Sequence, residues 1–192
     1  MMAATPDTDC GLRQGAVYGI GVSASAGGTH FGPYVNQAAQ VLVNCIQHQD
    51  SYTAGNGAAT DNAVSALGKL CDFHAERFTS SRAVIEQHWL PRLPLIVDEE
   101  ESITVTNHLC TMLENAQRAS LVLGSNYESL GRVLHVLTTV ITSDRKEGIC
   151  NKSLKARIQT LLQGMKNGLP AQALQSAVGQ LAPQMQQVFM QQ

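Results

Sequence analysis

The sequence predicts an all-α stack of antiparallel helix pairs, and three observations carry that prediction. Apolar residues recur at helical spacing through almost all of the 192 residues, while period-two alternation is nearly absent. Glycines, prolines and helix-capping residues interrupt the pattern about once per helix length. A hydrophobic content of 44%, only 5% of residues being aromatic, suits one continuous aliphatic core.

The first predicted helix runs through Leu12, Ala16, Ile20 and Ser23 and stops at Gly27 and Gly28, which supply freedom at positive φ. The second starts near Pro33, a residue suited to a first helical turn, and places Val35, Ala38, Ala39, Leu42, Cys45 and Ile46 on one face. From His48 to Ala59 the run HQDSYTAGNGAA reads as a mobile connection. Thr60 or Asp61 can then cap a helix with the face Ala63, Leu67, Leu70, Cys71 and His74, so Asp61 and Asn62 are expected at a helix start. A shorter helix from Ser81 is disturbed at its end by Pro91 and Pro94.

Asp98, Glu99, Glu100 and Glu101 put negative charge at the positive end of the next helix, which continues through Val105, Cys110 and Leu113. Its partner, capped by Asn126, carries the stripe Leu130, Val133, Leu134, Leu137 and Ile141. After Asp144 follow a helix bearing Leu154, Ile158, Leu161, Leu162 and Met165 that stops at Gly168, and two short helices starting at Pro170 and Pro183. The pairs thus begin near Asp9, Thr60, Asp98 and Lys146, a spacing compatible with the about 40–47 residues of HEAT and armadillo units. The expected organisation is a disordered stretch over 1–8 and an α-α superhelix over 9–192, in four approximate pairs: 9–47, 60–95, 98–142 and 146–192. The first pair is expected to present an apolar outer face.

A formal charge of -2 argues against a basic nucleic-acid groove. No apolar run approaches a membrane span, and the start MMAATPDTDCGLRQG lacks the charged and hydrophobic regions of a signal peptide, which predicts a chain on the cytoplasmic side. Five scattered cysteines, Cys10, Cys45, Cys71, Cys110 and Cys150, read as reduced packing residues, and no metal ligand set is expected. Gly19, Gly21 and Ala24 imitate a dinucleotide loop, but neither the preceding strand nor the following acid is present, so they read as a site of close helix approach. His74 and Glu76 match half of a zinc-deaminase motif whose second half is missing. Gly21, Ser23 and Ser25 lack the second glycine of a nucleophile elbow. No catalytic residue and no cofactor are expected.

Four runs carry a resemblance: LRQGAVYGIGVSASAGGTHF, DNAVSALGKL, HWLPRLPL and LGSNYESLGRVLHVL. In that order the sequence resembles the C-terminal HEAT repeats of importin-β karyopherins, most closely the importin-5 branch of plants and algae. The resemblance implies a nuclear transport receptor of cytoplasm and nucleus, whose protein partners are cargoes with basic import signals such as ribosomal proteins or histones. Receptors of that family are several times longer and bind Ran mainly through N-terminal repeats. Ran-GTP and nucleoporins are therefore partners of a full-length receptor only, and no Ran site is carried onto these residues. In such solenoids the second helix of each pair usually lines the concave side, which makes Asn36, Gln40, Glu86, Trp89 and Arg132 the candidate contact residues.

Overall fold

The computed structural model describes residues 9–53, 55–143 and 148–192, and every regular element among them is helical. The stretch 1–8 and the expected start of the last pair near Lys146 lie outside the described residues.

Asp9 accepts the backbone N–H groups of Gly11 and Leu12 and so starts α1 (Cys10–Ala26). At its end Gly28 takes φ +48, whereas Gly27 remains at φ -77. A single turn, α2 (Gly28–Phe31), and a 3-10 turn over Gly32–Tyr34 lead into α3 (Val35–Gln47), whose predicted stripe is buried throughout. The next helix, α4 (Gly57–Phe73), begins earlier than expected. Thr60 and Asp61 therefore sit one turn inside it and cap nothing at its start. The Thr60 hydroxyl instead donates to the carbonyls of Ser51 and Asn56. The connection before α4 is a set of turns closed by bonds such as Thr53 N–H to Asp50 C=O and Asn56 Nδ2 to the same carbonyl.

After α5 (Ser81–Val84) the helix widens to a π turn over Ile85–Trp89 and tightens to a 3-10 turn over Leu90–Arg92, where Pro91 ends it. Asp98 caps α6 (Glu99–Glu114) by accepting from Glu101 N–H at 2.9 Å. A further helix that periodicity did not separate, α7 (Ala116–Leu123), starts at Asn115, whose side chain accepts from Gln117 and Arg118. The stripe helix α8 (Leu130–Thr142) begins beyond Asn126, which is a turn residue bonded to Glu128 and not a cap. Between them Tyr127 adopts φ 62, a conformation that keeps the helix from starting sooner. The last elements are α9 (Lys152–Gly168), α10 (Ala171–Gly179) and α11 (Pro183–Met190).

First helices stack on first helices, α1 on α4, α4 on α6 and α6 on α9, while α10 and α11 cover α8. This is the arrangement of a HEAT-like α-α superhelix. Because α4 has neighbours all round, nearly all its residues are buried, polar ones included. Two glycines set how closely it is approached. A Cβ on Gly21 would stand 3.0 Å from Ala66 Cβ, so the imitation of a dinucleotide loop is the contact point of α1 with α4. A Cβ on Gly68 would lie 2.5 Å from Trp89 Nε1, so the indole occupies the space the side chain leaves free.

Candidate protein-binding surfaces

Of the seven residues singled out from the sequence, the fold leaves three outward. Asn36 and Gln40 are exposed on α3, with Gln40 Nε2 donating to Asn44 Oδ1 at 2.8 Å. Glu86 is exposed on the π turn, 3.6 Å from Arg82 one helical turn before it. A hydrogen-bond contact between Gln47, at the end of α3, and His88 at 3.4 Å links α3 to that turn.

Trp89 and Arg132 require correction as surface contacts. Trp89 is 0% exposed, held between Gly68 and an edge-on His108 ring at 6.5 Å, and has no face left for a partner. Arg132 spends its guanidinium inside the chain: Nε donates to Leu90 C=O at 3.2 Å, and Nη2 to Pro91 C=O at 3.0 Å and to Leu93 C=O. These are carbonyls freed where the helix around Pro91 ends, and a five-donor fork satisfies several at once. Burial holds the Arg132 pKa below its ordinary value.

Asp61 and Asn62 are likewise internal. Asp61 Oδ2 accepts the backbone N–H groups of Val97 and Asp98, each at 2.9 Å, so a carboxylate from α4 fixes the entry to α6 in the next pair. Burial pushes its pKa up and the nearby Asp98 charge adds to this, while the amides of Asp98, Val97 and Ile96 pull the other way. Asn62 Nδ2 donates to Ala58 C=O within α4. Both side chains are scaffold.

Sequence reasoning missed an open cleft of 1100 Å³ where the corners of the pairs converge, lined by Phe73, Arg77, Arg82, Glu86, Arg118 and Glu128 among others. Asp72 forms part of its wall with a side chain 1% exposed, 3.0 Å from Arg118 Nε and 3.3 Å from His108 Nε2. Arg82 crosses the same corner, donating to Ser129 Oγ at 2.9 Å and to Val122 C=O at 3.3 Å. One signal was available: an acid at the C-terminal end of a helix opposes the macrodipole, so Asp72 needed a cation from elsewhere. That cation comes from α7, the helix periodicity did not separate.

A smaller groove of 570 Å³ runs between α1 and α6 over Asn62, with Gly15 and Tyr18 on one rim and Asp98, Glu100 and Glu101 on the other. The buried thiols are chemically quiet, since burial pushes Cys110 up to about 12 and Cys71 up as well. His74 is buried with Nε2 2.8 Å from Ala24 C=O, while Glu76 faces solvent. Among the described residues no group of three or more His, Cys, Asp or Glu side chains could hold a metal ion, and no helix is long and apolar enough to cross a membrane.

No protein-family model matches the chain. The chain is similar to a probable importin-5 homolog of Dictyostelium discoideum, 31% identical over 121 residues, a stretch that is 60% of this chain and 11% of that protein. The chain thus spans a small part of the curated relative it matches. The similarity supports a relationship to the importin-β family.

Proposed function

We propose that this chain provides protein-binding HEAT repeats of a nuclear import receptor, the C-terminal repeats of the importin-5 branch in a plant- or algal-like form. The observation that supports this best is the 31% identity to a probable importin-5 homolog, on a chain that is itself a stack of helix pairs. Its partners are cargoes with basic import signals, of the kind found in ribosomal proteins or histones, and it works in cytoplasm and nucleus. Binding needs neither a cofactor nor a catalytic residue, and Ran-GTP and nucleoporins belong to the full-length receptor. Shallow surfaces along a solenoid suit extended partners held by many modest contacts.

Asn36, Gln40 and Glu86 are the contact residues in this reading, being exposed on second helices. Titrating the chain into a labelled basic ribosomal-protein segment should raise its anisotropy at low ionic strength, and added salt should reverse the change. Alanine at Glu86 should weaken binding more than alanine at Asn36 or Gln40, because only Glu86 offers a charge. Absence of binding at low salt overturns direct cargo contact.

A second reading, a HEAT scaffold without transport activity, draws on the 11% of the relative that the chain spans. Failure to associate with the N-terminal repeats of an importin would favour it.

A further inference from the structure

We propose that the groove between α1 and α6 receives an arginine side chain from an extended basic segment of a partner protein. Such segments are the basic signals of the import-receptor reading, on which the groove depends for the origin of its occupant alone. The contact lies on first helices, whereas Asn36, Gln40 and Glu86 belong to second helices.

The groove encloses 570 Å³, within the about 300–1,000 Å³ of clefts that hold ligands. Its two walls differ in kind. On α1 it is lined by the exposed Tyr18 ring with Gly11, Gln14 and Gly15, and on the α6 side by Asp98, Glu100 and Glu101. Acids in a first helical turn answer the helix dipole and make no site by themselves.

The floor points to a ligand independently. Asn62 of α4 lines the groove at only 6% exposure. Its Nδ2 donates to Ala58 C=O within the helix, which leaves Oδ1 without a hydrogen bond among the described residues. A buried amide oxygen is costly to leave unmet, so the floor calls for a donor that enters the groove.

Charge selects that donor. Lys69 meets Glu101 at 3.6 Å, while the Asp98 and Glu100 carboxylates have no ion pair among the described residues. Burial, and with it the charge of Asp98, raises the pKa of the adjacent Asp61, so negative charge here exceeds the cations that answer it. A bare metal ion does not fit, because among the described residues no three ligating side chains come together to hold one. A guanidinium does. Its five N–H donors span separated acceptors, Asn62 Oδ1 and the carboxylates at once, and its plane stacks on a tyrosine ring. A lysine ammonium is a compact point charge and serves fewer of them. First helices stack in a row, α1 on α4 and α4 on α6. A helix pair stacked before α1 in the same way would lie on the side of α1 away from α4 and leave this groove open.

Fluorescence anisotropy of the whole chain at low salt, with a labelled peptide of alternating arginine and glycine and with its lysine counterpart, tests this. The arginine peptide should bind about threefold more tightly than the lysine peptide. Glu100→Lys should weaken its binding by about tenfold and Tyr18→Ala by about threefold. Both residues are exposed, and circular dichroism checks that the variants stay folded. The side-chain amide resonances of Asn62 should shift as the peptide is added. No binding, equal affinity for the two peptides, or binding indifferent to both substitutions would overturn the proposal. Loss of affinity in Glu86→Ala alone would overturn it too, while leaving the import-receptor reading intact. An arginine peptide held in the groove that a basic ribosomal-protein segment does not displace would sustain the groove and remove that reading.

Discussion

The first helix pair and the pairs that follow it are held together by different physics. Residues 10–47 contain one Asp, Glu, Lys or Arg and meet α4 by close approach of small residues, Gly21 against Ala66, with polar ties only at its two ends, Arg13 to Asn56 and His74 Nε2 to Ala24 C=O. Beyond α4, polar side chains tie each pair to the next: Asp61 to the amides of Val97 and Asp98, Asp72 to Arg118 and His108, and Arg132 to three carbonyls. Further along, Arg157 makes a two-pronged bond to Glu114 at 2.9 and 2.7 Å and also reaches Asn107 and Thr111. Steric contact responds to volume and ignores pH and salt, whereas the polar ties respond to all three. Sensitivity to solution conditions should therefore lie in the later pairs.

The largest effect should come from Arg132→Met, which keeps much of the side-chain volume and leaves three carbonyls without their donor. Urea unfolding should show a loss of about 3 kcal/mol, from unmet acceptors at about 1 kcal/mol or more each. A loss below about 1 kcal/mol would mean that water satisfies those carbonyls and that the tie is weak. Asp61→Ala should follow at about 2 kcal/mol, because two amides at the α6 entry lose their acceptor and the buried carboxylate's desolvation cost is relieved at the same time. Amide exchange at Val97 and Asp98 should rise more than elsewhere in that variant, and a uniform rise would refute a local tie.

At the α1–α4 contact itself, size should matter most. Gly21→Val should cost about 1–3 kcal/mol through overpacking against Ala66. Gly15→Ala, on the same helix but in open space, should stabilise the fold by about 0.5–1 kcal/mol. Equal effects at the two sites would erase the distinction between the inner and outer faces of α1.

The smallest effect is the pH response of Glu114. The hydrogen bond from Arg157 is the main reason its pKa lies below the ordinary glutamate value. A depressed carboxylate stabilises the fold fully above its unfolded value, and that contribution fades as pH falls through the folded one. Both partners are largely solvated, so Glu114→Gln should change stability near neutral pH by no more than about 0.5 kcal/mol. It should also flatten the loss of stability on acidification below about pH 4.5. Asp61 works in the opposite sense, since its raised pKa makes its charged form a cost that appears as pH rises. A variant lacking both groups should show a shallower acid limb than Asp61→Ala alone.

The sequence by itself determined that the chain is helical, where most helices lie and which faces they bury, because a spacing of three and four residues is local and survives any arrangement of helices. It also ruled on Gly19, Gly21 and Ala24, since a phosphate loop needs a strand that the local pattern lacks. The start of α4, the separation of α7 and the delayed start of α8 were not legible. Each depends on a conformation or hydrogen bond, such as Tyr127 at positive φ, that no propensity specifies. Tertiary structure alone decided the fate of the candidate residues. Asn36, Gln40 and Glu86 stayed outward, Trp89 filled the room above Gly68, and Asp61 and Arg132 turned inward to bond backbone groups of other elements. The physical reason is that a buried backbone donor or acceptor must be satisfied, and only the packed array shows which ones the helix ends leave open.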